Sequence, residues 1–287
     1  MLREIIGTLF PRGRPYTFIS RGTEATHTIP EVTGEEVLAA CTGIGDRKTP
    51  GPDGIPNRAL KAAIRLRPDM FARVFHRCFV EGVFPRRWKE QKLVLIPKPG
   101  KPPGEPSSYR PICLLDTMGK ILERIIYNRL LTCAEARGAL SDLQYGFRKG
   151  RSTVDAIRRV VDIARDAIEG ERWRFGTKEY CAVVTLDVRN AFNSANWGRI
   201  TRALFNMATP PYLMEILNNY FQDRKVIYLT DEGKQEYIVT ASVPRSSVLG
   251  PLLWNIMYDG VVRLRLPNGT TIVGFADDIA IVSVAKL

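Results

Sequence analysis

Apolar positions recur along this chain at two spacings, one helical and one alternating. Helical spacing predicts helices over Gly34–Cys41, Asn57–Leu66, Asp69–Val80, Met118–Ala136, Ser152–Ile168, Asn196–Met207, Pro211–Phe221 and Leu249–Leu264. Met70, Val74 and the set Phe71, Phe75 and Phe79 are expected on one apolar face of Asp69–Val80. The strongest stripe is Ile121, Leu122, Ile125, Ile126 and Leu130. Short β-branched runs predict strands at Leu93–Ile96, at Cys181–Leu186 ending on Asp187, and at Val226–Leu229 paired with Tyr237–Ala241. The run Cys181–Leu186 reads as buried. Residues 1–30 mix Gly, Pro and Arg with little periodicity and read as a linker or extension. Asp46–Ile55 and Lys98–Ser108 are dense in turn residues. Helices and strands mix without regular βαβ alternation, so the class is α+β and not a doubly wound sheet.

The last apolar pattern is interrupted by charge. Ile272, Val273 and Phe275 precede the pair Asp277 and Asp278, and Ile279, Ile281 and Val282 follow it. Charge inside such a pattern is expensive unless something neutralises it. A hard divalent cation with oxygen ligands would do so. Two Asp at a turn are also ordinary turn residues in water. Asp187 changes the balance, because a strand-end acid is where open sheets tend to place ligand chemistry. Together the two segments can converge on one metal site.

The net charge of +12 predicts an anionic partner, nucleic acid first and a membrane surface second. Arg86, Arg87, Lys89, Lys92, Lys98 and Lys101 crowd one segment against a single acid, Glu90; Arg148, Lys149 and Arg151 form a second cluster. Such clusters suit phosphate contacts. The five cysteines are odd in number and dispersed, which argues against a disulfide framework and fits a reducing compartment. With only His27 and His76, a zinc site or a histidine-assisted nucleophile is not expected. No apolar run reaches transmembrane length, and the first residues lack a signal-peptide core.

Six segments follow one another in order: Leu95-Ile-Pro-Lys-Pro-Gly-Lys101, Ser108-Tyr-Arg-Pro-Ile-Cys-Leu-Leu115, Gln144-Tyr-Gly-Phe-Arg-Lys-Gly-Arg-Ser-Thr153, Leu186-Asp-Val-Arg-Asn-Ala-Phe192, Val243-Pro-Arg-Ser-Ser-Val-Leu-Gly-Pro251 and Phe275-Ala-Asp-Asp278. The series resembles a reverse transcriptase of non-LTR (LINE-type) retrotransposons, most similar to site-specific arthropod elements. The resemblance covers about residues 41–287, and weakly the Leu-Phe-Pro at 9–11. It implies a right-hand polymerase fold, with fingers at 41–175, a palm at 176–287, an N-terminal extension or linker at 1–40 and no thumb. It also implies transfer of a deoxynucleotide to a primer 3′-hydroxyl on an RNA template, with two Mg²⁺ ions (or Mn²⁺) clamping the attacking and leaving oxygens. Work on chromosomal DNA would make the protein intracellular, and nuclear during integration.

Carried over by position, the resemblance makes Asp187 and Asp277 direct metal ligands and Asp278 the third carboxylate. It puts Phe192 under the incoming sugar, where a ring excludes a ribose 2′-hydroxyl; an ordinary core Phe is the other reading. Lys98 and Arg110 fall to the triphosphate, and Lys101 to the nucleic acid, though a solvated loop charge fits Lys101 equally well. Arg148, Lys149 and Arg151 read as template contacts or as a solvated turn. Gly146–Thr153 is not a phosphate-binding P-loop, which needs four residues between its glycines and a Lys after the second. At 244–247 the family usually has Pro-Gln-Gly-Ser, where this chain has Pro-Arg-Ser-Ser. Arg245 occupies the nucleotide-contacting position and Ser246 adds a Cβ, so reduced activity is expected. The alternative reading is a decayed, inactive fragment that retains nucleic-acid binding; a group II intron maturase-like protein is a third.

Overall fold

The computed structural model describes residues 2–19, 28–102, 104–169, 178–188, 190–244 and 246–286. The elements in order are α1 (Leu2–Leu9), α2 (Gly34–Cys41), α3 (Asn57–Leu66), α4 (Pro68–Val80), β1 (Glu90–Pro97), β2 (Tyr109–Leu114), α5 (Thr117–Ala136), α6 (Thr153–Ile168), β3 (Tyr180–Asp187), α7 (Trp197–Asn206), α8 (Pro211–Phe221), β4 (Lys225–Thr230), β5 (Gly233–Ile238), α9 (Gly250–Val262), β6 (Thr270–Phe275) and β7 (Asp278–Ala285). Helix starts follow capping chemistry. Thr33 and Asn196 accept amide protons at the starts of α2 and α7, and Ser152 with Asp155 closes a capping box on α6. Pro68 and Pro211 stand in the first turns of α4 and α8, where a missing N–H is harmless.

One sheet has the order β2-β1-β4-β5, with β1 and β4 parallel and the other pairs antiparallel. The hydrophobic pattern does not predict β2, because Pro111 sits within it. As an edge strand it tolerates the missing donor. The strand expected at 226–229 is β4, and the one expected at 237–241 overlaps β5 only at Tyr237 and Ile238. Thr230 pairs with Gly233 across a tight turn, with Gly233 at φ +105°, so β5 begins earlier than its apolar residues suggest.

The second sheet is antiparallel, in the order β3-β7-β6. Here the expectation of a buried β3 is corrected. Val183, Val184 and Leu186 are 46%, 53% and 47% exposed. The strand lies at the sheet edge, paired on one side with β7 and packed by α6. An apolar run alone does not say which strand is central.

Residues near the N-terminus are also not simply a linker. Helix α1 buries Ile5, Ile6 and Leu9 in the main core, and Phe10 follows them. The Asn190 side chain donates to the carbonyls of Thr8 and Leu9, and the Tyr237 hydroxyl donates to that of Phe10. A two-turn helix is too short for its period to stand out beside Gly, Pro and Arg. On α4, Ala72, Phe75, Cys78 and Phe79 are buried. Met70 and Val74 are 47% and 49% exposed, because the helical turn carries them round to the side away from the stripe. One continuous core takes in Ile6, Phe75, Ile125, Leu217 and Trp254.

Candidate active site

Antiparallel pairing puts the two acid segments side by side. Asp187, the last residue of β3, is the register partner of Asp278, the first residue of β7. Asp277 occupies the turn between β6 and β7, after Ala276 at φ +59°. Asp278 is exposed, yet partial burial raises the pKa of its carboxyl, and the charges of Asp277 and Asp187 raise it further. Tyr258 on α9 faces the same group: burial raises its phenol pKa first, then the charges of Asp277, Asp187 and Asp278. Among the described residues no group of three His, Cys, Asp or Glu side chains is closed around a metal position. Like-charged carboxylates crowded at one sheet corner fit an incoming cation.

The strained turn is held from two directions. The indole Nε1 of Trp254 donates to the Ala276 carbonyl at 3.0 Å. Gln144 accepts from the amides of Ala276 and Gly146 at 3.1 and 2.9 Å. The Tyr145 amide donates to Gly274, and the Gly274 amide to Leu143. Gly146 lies so close that a Cβ would fall 2.0 Å from the Ala276 nitrogen. Gln144–Gly146 thus supports the acid hairpin, a role its sequence does not suggest. Nor does the sequence mark Trp254 and Tyr258. Their stacking, at 5.0 Å between centroids, belongs to a helix that reads simply as apolar.

Phe192 is buried, stacked on Trp254 at 5.2 Å and edge-on to Phe147 at 5.7 Å. Lys98, Lys101 and Arg110 sit on the β1–β2 hairpin of the other sheet. The Lys98 ammonium donates to Ser107, while Lys101 and Arg110 are exposed. Arg148 donates to the Ser141 carbonyl at 2.6 Å. Arg151 holds Asp142 and lies over the Tyr145 ring. Both guanidiniums therefore brace their own loop, and Lys149 is the exposed cation between them. Lys89, in the first basic cluster, is buried and donates to Asn219, and burial pushes its pKa down to about 8.

Arg245 lies outside the described residues. Its neighbour Ser246 donates its hydroxyl to the Cys113 carbonyl on β2. Buried Glu123 accepts from the Val248 amide at 2.6 Å, which anchors the rest of that segment to α5.

Comparison with known proteins gives this arrangement a lineage. A family model described as reverse transcriptase (RNA-dependent DNA polymerase) matches residues 96–286. The chain belongs to the reverse transcriptase family. It is 34% identical over 268 residues to the RNA-directed DNA polymerase from mobile element jockey of Drosophila melanogaster, covering 89% of this chain and 28% of that protein. It is 32% identical over 260 residues to the probable RNA-directed DNA polymerase from transposon BS of the same species, covering 88% of this chain and 28% of that protein. A type-1 retrotransposable element R2 Pol polyprotein of Popillia japonica is 28% identical over 235 residues, covering 81% of this chain and 30% of that protein. The chain thus spans under a third of the length of these relatives. The family match takes in all three aspartates, the acid hairpin, Lys98, Lys101, Arg110 and the cluster Arg148, Lys149 and Arg151.

Proposed function

We propose that this domain carries out RNA-templated DNA synthesis, adding deoxynucleotides to a DNA primer 3′-hydroxyl. The observation that carries the reading is the register pairing of Asp187 with Asp278, with Asp277 in the adjoining turn. In this reading Asp187, Asp277 and Asp278 are the catalytic carboxylates and would hold two Mg²⁺ ions, or Mn²⁺. When bound there, the ions supply charge for the attacking and leaving oxygens. Trp254 and Gln144 keep the hairpin turn in place, so the carboxylates need little rearrangement. Phe192, fixed between Trp254 and Phe147, is rigid enough to exclude a 2′-hydroxyl by contact.

Arg110, with Lys98 and Lys101 on the same hairpin, would take the triphosphate or the template strand, and Lys149 the template. Arg245 is assigned to the nucleotide by position alone. Fingers at 41–175 and palm at 176–287 remain the division this reading uses, although one hydrophobic core joins the two. Integration into chromosomal DNA would place the work in the nucleus. No helix among the described residues is long and apolar enough to cross a membrane.

The test is primer extension on an RNA template with Mg²⁺ and deoxynucleotides. Asp277→Asn should lower extension roughly a thousandfold, the size of several kcal/mol of lost charge stabilisation. Extension that survives this change would sink the metal assignment. Binding of primer–template without extension, reversed by Arg245→Gln with Ser246→Gly, would establish the decayed-copy reading instead.

A further inference from the structure

A second concentration of charge lies apart from the aspartates. The loop after α2, the first turns of α5 and the segment before α9 enclose a cavity of about 230 Å³. Thr117, Lys120 and Arg124 enter it from α5, three and four residues apart and so on one helix face. Lys48 enters from the loop, and Ser246 and Val248 close the far side. Among the described residues no carboxylate lines it. The acids nearest in sequence have other hydrogen-bond partners, while Glu123 and Asp116 also attract Lys120. Asp46 holds the Lys61 ammonium at 2.6 Å, Asp116 accepts from the Asp53 amide at 2.9 Å, and Glu123 accepts from the Val248 amide. Among the described residues Lys48, Lys120 and Arg124 have no ion-pair partner.

The cations are held in place. Asn57 donates to the Gly45 carbonyl at 2.9 Å and accepts the Thr117 hydroxyl at 2.6 Å, tying loop to helix. Lys61 donates to the Ile44 carbonyl at 3.0 Å. Gly45 lets the Lys48 stem lie close, since a Cβ there would be 3.0 Å from the Lys48 Cγ. The Arg124 guanidinium rests over the Tyr127 ring, 5.2 Å from its centre. Burial lowers the Lys120 pKa most; the Glu123 charge raises it, the Lys48 charge lowers it and the Asp116 charge raises it. An anion with several oxygens would meet one planar fork and two ammonium point charges there.

We propose that this cavity binds a phosphate group, with Lys48, Lys120 and Arg124 as its cationic walls. The phosphate belongs either to the backbone of a bound strand or to free pyrophosphate. The site goes beyond the polymerase reading and does not depend on it.

The whole chain is tested with two probes: a short single-stranded RNA by fluorescence anisotropy across a salt series, and inorganic pyrophosphate by calorimetry. Lys48→Gln with Arg124→Gln should weaken binding roughly tenfold to a hundredfold, the loss of one to two charge-assisted hydrogen bonds. In the RNA arm the salt slope should become shallower by about one for each phosphate left without its cation. Loss with RNA alone assigns the site to a strand, and loss with pyrophosphate assigns it to the free anion. Lys48→Gln alone, on an exposed loop, keeps the test open if the double variant melts early. Arg159→Gln, on the exposed face of α6, is the charge control. Unchanged binding of both probes overturns the proposal, and so does an equal loss in Arg159→Gln. Asp277→Asn should bind both probes normally, so a failed polymerase reading and a failed phosphate site give different results.

Discussion

Asp278 carries the tension of the site in its own carboxyl group. Its pKa is raised by partial burial and by two neighbouring negative charges. A raised carboxyl pKa means that the folded state binds its proton more tightly than the unfolded state does. Below the unfolded value, near 3.8, both states are protonated and the group costs nothing. As pH rises through the folded value the group must ionise, and stability is lost. Asp278→Asn should therefore raise the urea midpoint at pH 7 and leave it unchanged near pH 3. Millimolar Mg²⁺ should raise the midpoint of the parent chain at pH 7 and do so less in the variant, because a cation relieves the same repulsion. A midpoint lower at pH 7 in Asp278→Asn would refute the electrostatic account. The identity of these acids was legible in the sequence. Their support by Gln144, Trp254 and Tyr258 was not, since nothing in a one-dimensional pattern aims a glutamine at a turn more than a hundred residues away.

Among the elements, α5 does more than bury its apolar stripe. It places Glu123, 2% exposed, under the segment that leads into α9. Burial raises the Glu123 pKa, and the Arg224 charge and the Val248 amide lower it in turn. Arg224 is itself buried, donates to the Tyr220 carbonyl at 3.1 Å, and leaves Nε and Nη2 without partners among the described residues. Glu123→Ala should destabilise the fold by about 1–3 kcal/mol, because it leaves the Val248 amide without its acceptor. Glu123→Gln should cost less while still speeding hydrogen exchange at the Val248 amide. Equal protection of Val248 in all three proteins would show that the carboxylate does not hold this segment. Helix positions were largely legible in sequence, since the 3.6-residue period of α5 and α8 repeats over several turns. The edge position of β3 and the docking of α1 were not. Edge or centre is decided by which partner strands exist, and α1 is too short to show a period.

At the scale of the molecule two forces compete. The net charge of +12 repels other copies. Against it, α6 exposes Val154, Ile157, Val161 and Ile168 at spacings of three, four and seven, beside the exposed edge strand β3. A stripe of this kind next to an edge strand with no second pairing partner among the described residues favours association. Added salt shortens the Debye length and screens the repulsion. Self-association should therefore increase with salt, whereas nucleic-acid binding weakens with it. Sedimentation velocity should show this trend, and Ile157→Glu with Val161→Lys should remove it at little cost in stability. Salt-independent sedimentation of the parent chain would exclude the stripe as its cause.

The sequence by itself determined the family, the helices with sustained periods, the three aspartates and the basic balance. These depend on residue type and local spacing, which a linear chain displays directly. The tertiary structure decided which strand became an edge and which arginines brace loops rather than face solvent. It also decided that Lys89 and Glu123 are buried, and that Lys48 meets Lys120 and Arg124 around one cavity. Those outcomes depend on through-space packing of distant segments, where burial and neighbouring charge, not residue identity, set the chemistry.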